Sequence, residues 1–366
     1  MRVAIVHDFL MQMGGAEKVV EVLHAMYPDA PIYTSAYDAE VMPDYYRTWD
    51  IRTSFLQRLP QKRKTHRFAL PLYPLAFESF NLSGYDLVLS SSSCFAKGVV
   101  TPPDTTHVCY THAPMRFAWS TESYLENENL PGLFHMPLAM ITHYLRSWDM
   151  IASTRVDQYI ANSSVVARRI DKFYRADCEI VYPPVDTSRF HISEVVENYH
   201  IMVSRAVPYK RLDLAVAAFT RLKKPLKIVG SGRQMDALKA QAGPNVQFLG
   251  RVGDKDLPGL MARAKAYIMP GEEDFGIAPV EANACGRPVI AYAAGGALDT
   301  QRDGITGVLF KEQTVDGLCD AVCRLEDLDL DPQAIQAHAR TFDTVVFEER
   351  IRRVVAKAVQ ERMGSR

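Results

Sequence analysis

Three features are scarce in this sequence of 366 residues, and each scarcity argues against a class of protein. Its six cysteines are scattered without the paired spacing of a metal site, which argues against a disulfide framework and favours the reduced cytoplasm. No stretch of about 18 consecutive apolar residues occurs, so we expect no membrane-spanning helix. The formal net charge is -1, so no overall field favours nucleic acid as a partner.

The beginning of the sequence carries no recognisable targeting signal. Met1 leads directly into the run Arg2 to His7, which lacks the basic region, apolar core and cleavage site of a secretory signal. We therefore predict a cytoplasmic protein whose membrane contact, where it occurs, is peripheral and at the inner face of the cell membrane.

Length and composition indicate two globular domains. A chain of 366 residues exceeds what one hydrophobic core usually serves. Hydrophobic residues make up 48% of it and charged residues 23%, which is typical of a globular protein. Short apolar runs alternate with longer helical stretches in both halves, a pattern that predicts α/β domains with parallel sheets and crossover helices.

The predicted strands are short apolar runs bounded by polar or turn residues. In the first half they are Val3 to Val6, Ile32 to Thr34, Leu87 to Ser90, Val108 to Tyr110 and Gln158 to Ala161. In the second half they are His200 to Ser204, Leu226 to Val229, Val246 to Leu249, Ala266 to Met269 and Pro288 to Tyr292.

The alternation of strands and helices stops at Pro183 and restarts near Tyr199. This break predicts a first domain at residues 1–182, a linker at 183–198 and a second domain at 199–346. An amphipathic helix at about residues 347–366 follows, and we expect it to pack back on the first domain.

The densest motif runs from Pro270 to Gly286, where a turn leads into a helix. Glu273 lies in the turn, and Glu281 lies on the helix eight positions later. Gly276 permits close approach of a ligand to the backbone, and a helix N-terminus presents free N–H groups to an anion, so the segment suits a diphosphate. Each glutamate alone is also compatible with a structural role, as a solvated turn residue or as an acid favoured by the helix dipole.

These motifs together resemble those of glycosyltransferase family 4. The resemblance rests on two Glu residues separated by seven positions, with Phe-Gly between them and Ala-Cys-Gly-Arg-Pro-Val-Ile-Ala after them. It extends to a Gly-Gly loop after the first strand, Tyr-Thr-His-Ala-Pro-Met-Arg around His112, Asn-Ser-Ser from Asn162 and Val-Ser-Arg-Ala-Val-Pro-Tyr-Lys up to Lys210. It implies a GT-B fold, with two Rossmann-like doubly wound domains facing a central cleft, the first binding the acceptor and the second the nucleotide sugar.

The resemblance implies a donor site made mainly by the second domain. Arg205 and Lys210 would hold the donor diphosphate and stabilise the departing nucleoside diphosphate in place of a divalent metal, so no metal or other cofactor is expected. Glu273 would accept a hydrogen bond from the donor sugar, and Glu281 from the ribose. The other donor-binding residues that it implies are Ser231, Arg251, Phe275, Gly276, Ile277 and Ala278. An ordinary strand-to-helix turn is the alternative for Ser231 and Arg251.

The first domain is expected to contribute to the same cleft. Gly14 and Gly15 would let the backbone approach the phosphates or the transferred sugar. His112 would hydrogen-bond the donor sugar as a neutral imidazole, and Arg116 would contact a phosphate or the acceptor. A structural histidine is the alternative for His112, as surface cations are for Arg205 and Lys210.

The implied reaction is front-face substitution with retention, in which the leaving diphosphate deprotonates the acceptor hydroxyl. In glycoside hydrolysis, two carboxylates flank the bond that is broken, and one of them can act as a covalent nucleophile. Nothing in this sequence indicates a carboxylate in such a position. Glu273 and Glu281 are therefore assigned to donor recognition, and no general base is assigned. The predicted catalytic residues are His112, Arg205, Lys210 and Glu273.

A basic cluster precedes an aromatic and aliphatic stretch in the first half. Phe68 to Phe77 form the stretch, and the cluster comprises Lys62, Arg63, Lys64 and Arg67. Basic side chains attract anionic headgroups and apolar ones enter the interface, so we predict peripheral membrane docking and a lipid-linked or oligosaccharide acceptor. The alternative is a solvated basic loop followed by a core helix.

Within family 4, the residues around His112, from Pro74 to Phe80 and from Ser83 to Ser92 resemble mannosyltransferases of bacterial surface-polysaccharide assembly. GDP-mannose is therefore the expected donor, with other GDP- and UDP-linked sugars open. Other interpretations are a catalytically silent GT-B subunit that only binds within an assembly complex, or an epimerase or phosphorylase on the same scaffold. The sequence does not indicate an oligomeric state.

Overall fold

The computed structural model describes residues 1–59, 69–119 and 135–364. The chain divides into two compact units. The first unit comprises Met1–Tyr182 and Phe347–Arg366, and the second comprises Pro183–Val346. The predicted basic cluster of Lys62, Arg63, Lys64 and Arg67 lies outside the described residues.

The first unit is built on a parallel sheet. Its strands are β1 (Val3–His7), β2 (Ile32–Thr34), β3 (Ile51–Thr53), β4 (Leu87–Ser92), β5 (Thr106–Thr111), β6 (Gln158–Ala161) and β7 (Cys178–Ile180). Their order across the sheet is β3-β2-β1-β4-β5-β6-β7, and each strand runs parallel to its neighbours. The central strands β1, β4 and β5 are buried along their whole length, as parallel strands covered on both faces must be.

Helices cover both faces of this sheet. They are Gly15–Met26, Tyr73–Glu78, Arg116–Trp119, His135–Ser153 and Ser164–Tyr174. Ile5 of β1 packs with Leu23 in one apolar layer, whereas Val6 packs with Phe77 in the other. Successive strand residues point to opposite faces, so the sheet lies between two cores.

The last helix, Thr344–Gly364, contributes to the core of the first unit from Phe347 onward. Phe347, Ile351 and Val355 recur every four residues and therefore share one face of the helix. They are buried in the same apolar layer as Ile5 of β1. The first unit is thus assembled from two separate stretches of the chain.

The second unit has its own parallel sheet. Its strands are β8 (His200–Val203), β9 (Leu226–Val229), β10 (Val246–Gly250), β11 (Tyr267–Met269), β12 (Val289–Tyr292) and β13 (Gly307–Phe310). Their order is β10-β9-β8-β11-β12-β13. The helices of this unit are Leu212–Leu222, Met235–Gln241, Leu257–Ala262, Ile277–Ala284, Ala297–Thr300, Val315–Glu326 and Pro332–Ala339.

Residues 183–198, which the sequence predicts to be a linker, are hydrogen-bonded to the second unit. The Val185 N–H donates to the Phe342 carbonyl at 3.0 Å, and the Glu197 N–H donates to the Arg263 carbonyl at 2.8 Å. The boundary between the two units accordingly lies at Tyr182–Pro183, ahead of this segment.

Both sheets have a point at which the strand order reverses. The reversal falls between β1 and β4 in the first unit and between β8 and β11 in the second. Ligands of open α/β sheets bind at the carboxyl ends of the strands beside such a point.

The predicted α/β architecture with two parallel sheets is confirmed. Among the described residues, no helix has the length and apolar character needed to cross a membrane.

Candidate functional site

The loops after β8 and β11 leave the sheet at the reversal point of the second unit and bring Lys210 and Glu273 together. Lys210 ends the 3-10 turn Pro208–Lys210, and its ammonium forms an ion pair with the Glu273 carboxylate. Both side chains are mostly buried, with 15% and 17% of their surface exposed. The two predicted residues therefore form one charged centre in this unit.

A hydrogen-bonded bridge connects the two loops behind this ion pair. The Arg211 guanidinium donates to the Gln313 side-chain oxygen at 3.0 Å, and the Gln313 amide donates to the Pro270 carbonyl at 2.9 Å. Arg211 adopts a left-handed backbone conformation, φ 53°, directly after Lys210. Gln313 was not found by sequence reasoning, because it lies far along the chain from both loops and outside any motif.

Glycines let these loops pack backbone against backbone. A Cβ atom at Gly271 would lie 2.3 Å from the Tyr209 carbonyl oxygen, and one at Gly295 would lie 2.2 Å from the Glu273 carbonyl oxygen. The Gly296 N–H donates to the same Glu273 carbonyl at 2.8 Å. The backbone that presents Glu273 is therefore held from the loop after β12, a support that the sequence motifs did not reveal.

Gly276 starts the helix Ile277–Ala284 with φ 89°, a conformation that other residues rarely adopt. Glu281 is half-buried on this helix, as are Ile277 and Ala278 in its first turn. Phe275 is buried and meets Phe342 edge to face at 5.7 Å. Its ring belongs to the core, so the contribution of Phe275 to ligand binding is restricted to its backbone.

Three other predicted donor residues lie at the carboxyl ends of the neighbouring strands. Arg205 follows β8, Ser231 follows β9 and Arg251 follows β10, and all three are exposed. The Ala206 N–H donates to the Ser231 carbonyl at 3.0 Å, which joins the first two of these loops. The residues thus share one edge of the sheet with the ion pair.

Replacement of Gly230 by alanine is expected to disturb the Arg205 loop. Gly230 has φ 135°, and an added Cβ would lie 2.0 Å from the Ser204 carbonyl oxygen. We expect a loss of about 2 kcal/mol or more in the free energy of unfolding, and weaker binding of any ligand that the Arg205 loop holds. Chemical denaturation and ligand titration measure both.

The matched control for Gly230→Ala is Gly259→Ala. Gly259 lies inside the helix Leu257–Ala262, and a Cβ there would meet nothing within 4 Å. This change should leave binding intact and stabilise the fold by about 0.5–1 kcal/mol, because alanine is the better helix former. Equal behaviour of the two variants would contradict the proposed close packing at Gly230.

In the first unit, His112 follows β5 and is held by two neighbouring elements. Its Nε2 lies 2.8 Å from the Ser91 hydroxyl of β4, and the Asn162 side-chain amide donates to its carbonyl at 3.0 Å. Burial lowers the pKa of His112 to about 3, with a smaller contribution from His7. The imidazole is therefore neutral near pH 7.

The remaining predicted residues of the first unit lie at helix starts. Gly14 precedes the helix Gly15–Met26 with an extended backbone, so its conformation does not itself require glycine. Arg116 is exposed at the beginning of the helix Arg116–Trp119.

Asp8 and Glu17, which are among the buried carboxylates described in the first unit, were missed by sequence reasoning. Asp8, directly after β1, accepts four backbone N–H bonds of 2.5–3.0 Å from residues 93–96. Glu17, in the first helix, lies 3.8 Å from His7. The sequence shows only that Asp8 follows a strand and that Glu17 lies near the Gly-Gly pair. This is a weak signal of burial, because acidic residues are usually exposed.

The described residues contain no group of three or more His, Cys, Asp or Glu side chains arranged to hold a metal ion. Lys210 and Arg205 both follow β8 and are cationic groups that the second unit offers to an anion beside the reversal point. Together with the start of the helix Ile277–Ala284, they suit a phosphate-containing ligand.

Known families account for both units. The family described as Glycosyltransferase Family 4 matches residues 13–189, and the family described as Glycosyl transferases group 1 matches residues 186–342. D-inositol 3-phosphate glycosyltransferases from Mycobacterium tuberculosis (strain ATCC 25618 / H37Rv) and Mycobacterium bovis (strain ATCC BAA-935 / AF2122/97) are 31% identical over 218 residues. These alignments cover 51% of this chain and 45% of those relatives, so the match spans less than half of their length.

Solved structures share the fold over nearly the whole chain. Anabaena HepE in complex with UDP superposes with a TM-score of 0.71 at 19% identity, covering 98% of this chain and 100% of that one. Sucrose-phosphate synthase from Thermosynechococcus elongatus superposes with a TM-score of 0.74 at 16% identity, covering 98% and 99%. At such low identity, the likeness concerns the fold.

The two family matches follow one another along the sequence and overlap at residues 186–189, shortly after the boundary between the two units at Tyr182–Pro183. The expected fold class and family are therefore confirmed, whereas the sugar and the acceptor are separate questions. This chain belongs to the family 4, group 1 glycosyltransferases of GT-B fold.

Proposed function

We propose that this protein is a retaining, metal-independent glycosyltransferase that moves a sugar from a nucleoside-diphosphate donor to a lipid-linked or oligosaccharide acceptor. The ion pair of Lys210 with Glu273 at the strand-order reversal of the second unit is the observation that carries the proposal. In this proposal, Lys210 is the cation for the diphosphate, and Glu273 directly beside it is the hydrogen-bond acceptor for the sugar.

The ion pair suits a site that exchanges one partner for another. In the proposed complex, the diphosphate oxygens take over the Lys210 ammonium, and Glu273 then accepts a hydrogen bond from a sugar hydroxyl. Negative charge grows on the leaving diphosphate as the glycosidic bond breaks, so Lys210 and Arg205 bind the transition state more tightly than the ground state. Glu281 contacts the ribose in this scheme.

His112 is proposed to act on the transferred sugar as a neutral imidazole. Its lowered pKa, about 3, keeps it uncharged across the physiological range. The acceptor hydroxyl loses its proton to the departing diphosphate, which substitutes for a protein base. We propose that neither a metal nor another cofactor takes part.

The proposed donor is GDP-mannose, with UDP-linked sugars as the second candidate. The resemblance to bacterial mannosyltransferases supports the first. The second gains support from neighbours that share the fold, since Anabaena HepE has been solved with UDP and, at a TM-score of 0.68, with UDP-glucose. GDP-mannose and the UDP-sugars differ in their nucleobase, so a comparison of GDP with UDP binding distinguishes the two candidate donors.

A nucleotide screen by thermal denaturation is expected to identify the donor. A ligand at 100 times its Kd stabilises the folded state by about 2.7 kcal/mol, and the melting temperature rises accordingly. GDP is expected to raise it more than UDP, and the reverse order would assign the donor to the UDP-sugars. Failure of every nucleoside diphosphate to stabilise the protein would contradict the transferase proposal. Stabilisation without any sugar transfer would instead favour a silent binding subunit.

A membrane-facing role is proposed for one surface of the first unit. Leu72 and Leu75 are exposed directly after the basic cluster. The helix His135–Ser153 exposes a further apolar row, in which Met136 and Met140 are 75% and 68% exposed. Apolar side chains beside Lys and Arg fit an anionic lipid surface, where the acceptor would be presented.

Reversing the charge of Lys62, Arg63 and Lys64 to glutamate is expected to abolish sedimentation with vesicles containing phosphatidylglycerol. Each basic side chain near an anionic surface contributes about 1 kcal/mol, so three reversals weaken binding at least 100-fold. The charge-matched control reverses three exposed cations of the last helix, Arg350, Arg352 and Arg353. Undiminished sedimentation of the first variant, or equal loss in both, would rule out docking through the basic cluster.

A further inference from the structure

A chain of buried polar groups leads from the first helix of the first unit to His112. Glu17 Oε1 lies 3.8 Å from His7 Nε2, an ion-pair distance. His7 Nδ1 lies 3.1 Å from the Ser91 carbonyl and 3.2 Å from the Ser91 hydroxyl. That hydroxyl lies 2.8 Å from His112 Nε2. Glu17, His7 and Ser91 are all buried to 98% or more.

The donors and acceptors in this chain determine where each hydrogen lies. The Ser91 carbonyl can only accept, so His7 Nδ1 must carry a hydrogen. The same N–H also faces the Ser91 hydroxyl oxygen, which accepts it as a second partner. The hydrogen of the Ser91 hydroxyl is then directed to its remaining neighbour within the described residues, His112 Nε2.

Glu17 and Asp8 reinforce this arrangement electrostatically. Burial by itself would lower the pKa of His7, but the carboxylates of Glu17 and Asp8 outweigh it, and the pKa is raised above its ordinary value. A protonated His7 has hydrogens on both nitrogens, one towards Glu17 and one towards Ser91. It therefore cannot take the hydrogen of the Ser91 hydroxyl.

We infer that Ser91 and His7 are positioning residues that hold His112 as the tautomer with its hydrogen on Nδ1. His112 Nε2 accepts from Ser91, and a neutral imidazole then carries its one hydrogen on the other nitrogen. His112 offers substrate an N–H donor and no lone pair. The Nδ1–H of His112 therefore donates a hydrogen bond to an oxygen of the donor sugar. His112 does not act as a base.

The role of this tautomer in catalysis rests on the proposed function, which assigns His112 to the transferred sugar. The hydrogen positions do not depend on that function. They follow from the register of the first sheet, which pairs His7 of β1 with Ser91 of β4. Groups that orient an active-site histidine typically change activity 10- to 100-fold when removed, as their analogues do at metal sites.

Ser90 provides a matched control for Ser91. Its hydroxyl lies 2.8 Å from His107 Nε2, the same serine-to-histidine contact one position earlier on β4. Adjacent strand residues point to opposite faces, so Ser90→Ala removes an equivalent buried contact without touching His112. Ser90 and Ser91 are about equally buried.

The experiment combines nitrogen NMR of the histidine rings with transfer kinetics. In the wild-type protein, His112 should show a protonated Nδ1 and an unprotonated Nε2 from pH 6 to 8, with its signals assigned by their loss in His112→Gln. Ser91→Ala should shift His112 towards the other tautomer and lower kcat about 10-fold or more, whereas Ser90→Ala should leave the tautomer unchanged and kcat within about 2-fold.

A protonated Nε2 in the wild-type protein would overturn the inference without any variant, even if Ser91→Ala did not fold. An unchanged tautomer in folded Ser91→Ala would overturn it as well. The expected tautomer in a protein that transfers no sugar would support the positioning chain and remove the proposed function instead.

Discussion

Replacing Lys210 with alanine is expected to lower kcat/KM for the sugar donor by roughly 100- to 1,000-fold while the protein stays folded. Lys210 is mostly buried beside Glu273, where its charge is poorly screened by water. Without it, the leaving diphosphate develops charge near an unpaired carboxylate. Steady-state kinetics with the donor varied measures the loss, and circular dichroism checks the fold.

The control for Lys210→Ala is Lys224→Ala. Lys224 also forms an ion pair in the second unit, with Glu326, but both of these side chains are more exposed than those of Lys210 and Glu273. Its removal should change kcat/KM less than 2-fold, because exposed pairs contribute about 1 kcal/mol or less and only to stability. Full activity of Lys210→Ala would remove this residue from the donor site. Loss of turnover on adding EDTA would refute the proposal that two fixed cations replace a metal.

Acidification from pH 6.5 to pH 4 is expected to reduce the free energy of unfolding by about 3 kcal/mol for each of two buried histidines. Burial lowers the pKa of His107 to about 4, and it does the same for His200. The unfolded chain takes up protons near pH 6.5, whereas these side chains in the folded protein do not. Stability is therefore lost as the pH falls between those two values.

The two histidines report on different units, so their effects are separable. His107 belongs to β5 of the first unit and His200 to β8 of the second. Urea denaturation of His200→Gln across this pH range should show a weaker loss for the second unit alone, while the exposed His143→Gln serves as control. An unchanged pH dependence in His200→Gln would contradict the assignment of acid lability to this side chain.

The sequence predicts several inner strands well because each contains a short, mainly apolar run bounded by polar or turn residues. β1, β4 and β9 are examples, each close to its expected bounds. The sequence does not predict β3 (Ile51–Thr53) or β13 (Gly307–Phe310). Each of them is an edge strand, β3 in the sheet of the first unit and β13 in the sheet of the second. An edge strand of three or four residues shows too little periodicity to be distinguished from a loop.

The candidate site divides in the same way. Lys210 and Glu273 follow from motifs and from a family resemblance, but their ion pair requires the order of β8 and β11 in the sheet. His7 and Ser91 lie 84 positions apart, and no motif contains both of them. Only the strand register brings them together, and register is a property of the folded sheet.

The last helix has a consequence for biosynthesis. Phe347, Ile351 and Val355 fill an apolar layer whose other members, such as Ile5, leave the ribosome first. All of Pro183–Val346 is translated between them, so the second unit can close its core while the first still exposes a hydrophobic groove. The first unit to be made is therefore the last to be finished, and a nascent chain stalled before Phe347 carries an open apolar surface.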